Sequence, residues 1–149
     1  MSGYLRSAIV VAMLLFGVAP VSAQTAAPAG HIKIVSGAAY IVRERGTTAA
    51  KPGDAIFATD TLRTADGSLG VTMVDDTRLS LGPNSEVKVD RYVYAPGEGG
   101  LGMVLKFMRG VAVYVSGRMA KLAPDSVRLE APSAIVGVRG TTVAIRIEP

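Results

Sequence analysis

The stretch from Thr59 to Asp90, TDTLRTADGSLGVTMVDDTRLSLGPNSEVKVD, leaves the chain almost no choice of local structure. Leu69, Val71 and Met73 fall two residues apart, as do Leu79 with Leu81 and Val87 with Val89. That period sends every second side chain to one face of an extended strand, whereas a helix needs apolar residues three and four apart. Asp66-Gly67 and Asp75-Asp76 interrupt the runs, because short acidic residues and glycine tolerate the backbone of a tight hairpin. The stretch therefore predicts short strands joined by tight turns. It carries no reactive group, which makes it a scaffold.

The flanking segments repeat the pattern. His31 to Gly37 alternates polar and apolar residues, and Ala39 to Val42 continues as a β-rich run. Arg43 to Lys51 reads as a polar loop, closed by Pro52-Gly53-Asp54 before the short strand Ala55-Ile56-Phe57. Met103–Met108 and Val111–Val115, separated by Gly110, read as two adjacent strands. Gly117–Ala123 is the one plausible helical turn, with Met119 and Leu122 three apart on one face. Val127 and Leu129 alternate with Arg128 and Glu130. In the last run Val143, Ile145 and Ile147 face inward while Thr142, Ala144 and Arg146 face out. A faint echo links Asp76-Thr77-Arg78-Leu79-Ser80-Leu81 to Gly140-Thr141-Thr142-Val143-Ala144-Ile145, too few copies for a repeat array. The expectation is a single all-β domain of about ten to twelve short strands, built as a β-sandwich or a short β-solenoid-like coil.

The N-terminus is of another kind. Arg6 precedes an uncharged run from Ser7 to Ala19, Pro20 breaks it, and Val21-Ser22-Ala23 offers the small residues a signal peptidase reads. The run is too short to span the roughly 30 Å of a bilayer's hydrocarbon. Residues 1–23 are expected to be a cleaved signal peptide, 24–30 a flexible linker and 31–149 the β domain. Without an Arg-Arg pair, the general export route is expected. The product is periplasmic or secreted, with no transmembrane anchor after cleavage. Loss of Arg6 leaves 15 basic and 12 acidic side chains, short of the clustered charge of a nucleic-acid binder. Cysteine and tryptophan are absent, so stability rests on packing, and thiolate chemistry and cysteine-based metal sites are excluded.

Several residues invite a chemical reading. Gly97-Glu98-Gly99-Gly100-Leu101-Gly102 spells a dinucleotide fingerprint, but Pro96 precedes it and no long helix follows, so a hairpin loop is expected and no cofactor. Asp54, Asp60 and Asp66 recur every six residues near Asp75-Asp76; they serve as turn-formers or, if they converge, as a calcium site. His31 is the one histidine and cannot be placed in a triad. A carboxylate pair for glycan hydrolysis is open from sequence, but acids at turns keep ordinary protonation, so no catalytic or metal site is assigned. Arg63, Arg78, Lys88 and Arg146 sit at outward strand positions and form a candidate polyanion face, or serve solubility and edge protection. Arg91, Tyr92 and Tyr94 are the candidate partner-binding residues, the two tyrosines sharing a face opposite Val93; packing with hydroxyls at the rim is the alternative.

A resemblance sharpens this reading. Pro52-Gly53-Asp54 with Thr59-Asp60-Thr61-Leu62-Arg63-Thr64 is followed by Asp76-Thr77 with Leu79-Ser80-Leu81-Gly82-Pro83-Asn84-Ser85. Ala131-Pro132 with Val138-Arg139-Gly140-Thr141 completes the set. From Gly37 to Ile147 the combination resembles the FecR domain, a periplasmic sensing module of iron-uptake regulators. Asp75-Asp76 stands where that family usually has Asp-Gly, and Ala58 where a glycine normally precedes Asp60. Transmembrane regulators of the family carry a cytoplasmic anti-sigma segment before a spanning helix, and here six residues precede the apolar run. The resemblance thus implies a free-standing periplasmic module that contacts another protein of the Gram-negative envelope, in signalling or surface assembly. The alternative is a glycan- or polyanion-binding accessory protein.

Overall fold

The computed structural model describes residues 20, 25–138 and 142–148. Apart from Pro20, the expected signal peptide lies outside the described residues, as do Arg139, Gly140 and Thr141 of the family-like tail. Twelve strands follow one another: β1 (Gly30–Ser36), β2 (Ala39–Arg43), β3 (Gly46–Ala49), β4 (Ala55–Ile56), β5 (Thr61–Thr64), β6 (Ser68–Met73), β7 (Arg78–Leu81), β8 (Glu86–Ala95), β9 (Gly100–Val115), β10 (Val127–Ala131), β11 (Ala134–Gly137) and β12 (Thr142–Ile147). One short helix, α1 (Arg118–Leu122), sits between β9 and β10. The protein is all-β, as its two-residue period requires.

The strands form one sheet curled into a half-barrel around a single core. One layer runs β4-β1-β6-β7-β9-β12, and the other β3-β2-β5-β8-β9-β10-β11. Neighbours are antiparallel except β9 and β10. Leu62, Leu69, Val71, Met73, Leu79, Leu81, Val87 and Val89 are all buried, together with Met103, Leu105, Phe107 and Tyr114. Each such aliphatic side chain taken from water contributes roughly 1.5–3 kcal/mol.

Both layers share β9, and here the structure corrects the sequence reading. Met103–Met108 and Val111–Val115 are not adjacent strands but one strand of 16 residues. Its first part pairs with β8 and β10, its last part with β7 and β12. Gly110, at φ +85°, is the bend between them. Inward positions change there from Met103, Leu105 and Phe107 to Ala112 and Tyr114. A glycine that looked like a strand break is a pivot, because only glycine enters this backbone region without steric cost.

Smaller corrections have local causes. Part of the expected polar loop from Arg43 to Lys51 is strand β3, exposed throughout, whose ladder to β2 uses backbone groups and needs no apolar face. Ile32 and Ile34 share one face in the alternation of His31 to Gly37, yet Ile32 is buried and Ile34 exposed, because the β1–β6 register shifts between them. On α1, Met119 and Ala120 are buried, whereas Leu122 is 61 % exposed. Packing also reaches into the stretch read as linker: Ala29 is buried and donates its N–H to Ile56 O, and Gly30 opens β1.

Candidate functional site

The acids of the sequence motifs hold corners of the fold. Asp60 is buried, and Arg43 reaches it with Nε on Oδ1 and Nη2 on Oδ2, both at 2.8 Å. The Phe57 N–H donates to Oδ2 at 2.9 Å, and the Arg43 guanidinium lies 5.4 Å from the Phe57 ring centroid. The hydrogen bonds to Asp60 raise the Arg43 pKa, so it stays a cation throughout. This two-pronged pair ties the end of β2 to the turn before β5, with a geometry that a lysine could not reproduce. Asp54 accepts the Lys51 N–H at 2.9 Å, the local turn chemistry its position suggests.

Asp75 is the more consequential corner. It is 0 % exposed and makes no ion pair among the described residues. Its charge is held instead by aimed donors. The Tyr92 hydroxyl donates to Oδ1 at 2.9 Å and the Thr77 N–H at 3.4 Å; the Thr77 hydroxyl donates to Oδ2 at 2.8 Å and the Met119 N–H at 3.1 Å. Asp75 N–H returns a bond to the Tyr92 oxygen at 3.0 Å, and Asp75 O accepts from Arg118 N–H at 2.7 Å. One side chain therefore joins the β6–β7 turn, β8 and α1. Gly117 lies so close to this turn that a Cβ there would collide with Asp75 O and Thr77 N. Among the described residues no three His, Asp or Glu side chains converge as a metal site would require.

Tyr92 thus takes a different role from the exposed contact residue the period suggested. Val89 pairs with Leu105 but Arg91 pairs with Val104, so β8 carries a bulge at Asp90. The extra residue exchanges the two faces of everything beyond it. Val87 and Val89 face the core before the bulge; after it Tyr92 and Tyr94 pack against the core, while Arg91 and Val93 turn out. Burial, and then the Asp75 carboxylate, push the Tyr92 phenol far above its ordinary value. Burial likewise raises the Tyr114 phenol.

A titration prediction follows from these two rings. The folded state keeps both protons where an unfolded tyrosine, with a pKa near 10, loses its own. Stability should therefore be intact below about pH 10 and fall as pH rises above it, by at most about 1.4 kcal/mol per pH unit for each tyrosine. Water at the partly exposed Tyr92 ring lowers its share of that ceiling. Urea unfolding between pH 9 and 11 should show the decline, shallower in Tyr92→Phe; an identical slope in the variant would remove Tyr92 from the explanation.

What the bulge turns outward borders a cleft of about 420 Å³ lined by Ala26, Pro28, Phe57, Val74, Val93 and Tyr94, among others. Val74 is 48 % and Val93 38 % exposed. Arg91 is exposed on the same strand two residues before Val93, outside the cleft's lining, with its guanidinium over Gly102 of β9. The glycine run is the β8–β9 hairpin: Ala95 pairs with Gly100, and Gly99 turns at φ +70°. His31 lies exposed on β1, paired with Ala55 and Thr72.

The four basic candidates are divided between the layers. Arg63 and Lys88 lie on the β5–β8 surface, where Arg63 reaches Glu86 at 3.4 Å and Lys88 reaches Asp90 at 3.7 Å. Arg109 and Lys106 meet the same two acids from β9, giving a lattice of alternating charge. Exposed pairs of this kind contribute about 0–1 kcal/mol each. Arg78 and Arg146 lie on the other layer, opposite Val115 and Val111 of β9. Arg78 joins Arg118 and Lys121 around a cleft of about 380 Å³ in which Asp76 is the one acid, bound to Arg118 at 2.9 Å.

The sequence pattern of the FecR protein family matches residues 60–149, and the chain belongs to that family of signalling and regulatory modules. No curated protein and no solved structure matches the chain. The matched span begins at Asp60 and includes Asp75 and the Gly82–Ser85 corner, which bend and clamp the sheet. Among the described residues, no helix is long and apolar enough to cross a membrane.

Proposed function

We propose that this chain is a FecR-type binding module of the Gram-negative envelope, exported by residues 1–23 and folded in the periplasm. It docks on another envelope protein in a signalling or assembly role and catalyses no reaction. The observation that carries this reading is the β8 bulge, which spends Tyr92 on the core and presents Val93 in the apolar cleft at Val74, with Arg91 exposed two residues before it on the same strand. An exposed apolar patch flanked by an arginine is the composition of protein contact sites. The buried acids support the absence of catalysis: Asp60 and Asp75 are both occupied by donors of the fold itself and neither is left to meet a substrate.

Photo-crosslinking tests it. A photoreactive residue at Val93, in envelope preparations, should give one discrete protein adduct that Arg91→Glu weakens, while the same residue at Thr47 on the exposed β3 edge should give none. Equal labelling at both positions, or none at Val93, removes this reading. Salt-sensitive retention on lipopolysaccharide that is lost in Arg78→Ala would move the functional surface to the Arg78–Lys121 cleft instead.

A further inference from the structure

The echo between β7 and β12 has a structural counterpart. Arg78, Leu79, Ser80 and Leu81 stand opposite Val115, Tyr114, Val113 and Ala112 on one side of β9. Thr142, Val143, Ala144 and Ile145 stand opposite the same four residues on its other side. The two strands are arms of β9, matched residue for residue. Their surroundings differ. β7 has β6 as a second neighbour, with Val71 opposite Leu79 and Leu69 opposite Leu81, and both leucines are at most 2 % exposed. β12 pairs with β9 alone among the described residues, and Val143, Ile145 and Ile147 pack on the core yet stay half-buried. What differs is a strand in the place that β6 takes beside β7.

This edge is also long and undefended. β12 offers six residues, against four on β3 and β11 and two on β4. It has no internal proline and no inward charge, the usual devices that keep an edge from pairing.

We propose that a second copy of this chain covers it, with β12 pairing antiparallel to β12 about a two-fold axis at Ile145. Inward residues must meet inward residues, so odd positions oppose odd positions. An axis at Ile145 sets Ile145 against Ile145 and Val143 against Ile147 in both directions, all apolar, with Arg146 opposite Ala144 and Glu148 opposite Thr142. An axis at Arg146 would set two arginines face to face, and one at Ala144 would carry Ile147 past the end of the partner's β12. The self-fit commits the edge to a second copy: β12 is itself the alternating apolar strand the edge requires, and a two-fold contact uses one surface twice. β12 meets Gly110–Val115 of β9 and Val93 meets Gly102, so this contact uses other residues than the docking surface at Val93.

The absence of native cysteine makes the register testable. Directly opposed side chains have Cβ atoms about 4.5–5.5 Å apart, close enough for a disulfide after small adjustment. Ile145→Cys under mild oxidation should yield a covalent dimer. Val143→Cys and Ile147→Cys should each cross-link poorly alone and efficiently when mixed, which keeps the test alive if Ile145→Cys fails to fold. Light scattering of the unmodified chain should show a concentration-dependent dimer. A monomer at every concentration overturns the proposal, as does a dimer in which neither Ile145→Cys nor the mixed pair cross-links.

Discussion

Asp75→Ala should cost the fold about 3–5 kcal/mol, measured as a lowered urea midpoint at neutral pH. The substitution removes the acceptor of four hydrogen bonds and strands the Tyr92 hydroxyl, the Thr77 hydroxyl and N–H, and the Met119 N–H in a site with no exposure. A buried donor left without its partner costs about 1–3 kcal/mol, and water entering the vacated space recovers part of the total. Against the 5–15 kcal/mol typical of a whole domain, that loss is large. Asp75→Asn should recover only part of it, because an amide group points N–H donors at N–H donors. Tyr92→Phe should cost about 1–2 kcal/mol, and the double variant with Asp75→Ala less than the sum, since the two share a bond. Full additivity would mean that the Tyr92–Asp75 contact is not energetically coupled.

Gly110→Ala should destabilise by a similar amount for a different reason. Its φ of +85° strains any residue with a Cβ, at about 1 kcal/mol. The added carbon would also stand 2.5 Å from Ser85 Cα and 2.6 Å from Asn84 O, both backbone atoms that cannot rotate away. The same corner is held by Ser85: Val111 N–H donates to Ser85 Oγ at 2.9 Å and Ser85 N–H to Thr64 Oγ1 at 2.9 Å. The expected total is about 3–4 kcal/mol, with overpacking as the larger part. Gly53→Ala separates the two effects. Gly53 also has a positive φ, of +92°, but a Cβ there meets nothing within 4 Å, so it should lose only about 1 kcal/mol. Equal losses at both positions would show that the Gly110 corner yields and that β9 does not pivot on a rigid contact.

These residues also show how far sequence reading reaches. The inward rows Leu69-Val71-Met73 and Leu79-Leu81 were legible because alternation is a local property of an extended chain. The turns at Asp66-Gly67 and Asp75-Asp76 were legible for the same reason. The FecR resemblance was carried by motif residues whose task is to make corners, so it found the fold without locating a surface. Arg43 gave no signal as the partner of Asp60, since a contact 17 residues apart leaves no local pattern. Asp75 read as one more turn acid, and only the arrival of Tyr92 and Met119 makes it the hub of a network.

The sequence by itself determined the all-β class, the faces of β6, β7 and the part of β8 before Asp90, and the family. All of these follow from spacing along the chain. Tertiary structure alone decided that Gly110 bends one strand between two layers, that the bulge at Asp90 turns Tyr92 inward and Val93 out, and that β12 has β9 as its one neighbour among the described residues. Each depends on which residue of a neighbouring strand lies opposite, and a shift of one residue in that register exchanges buried for exposed.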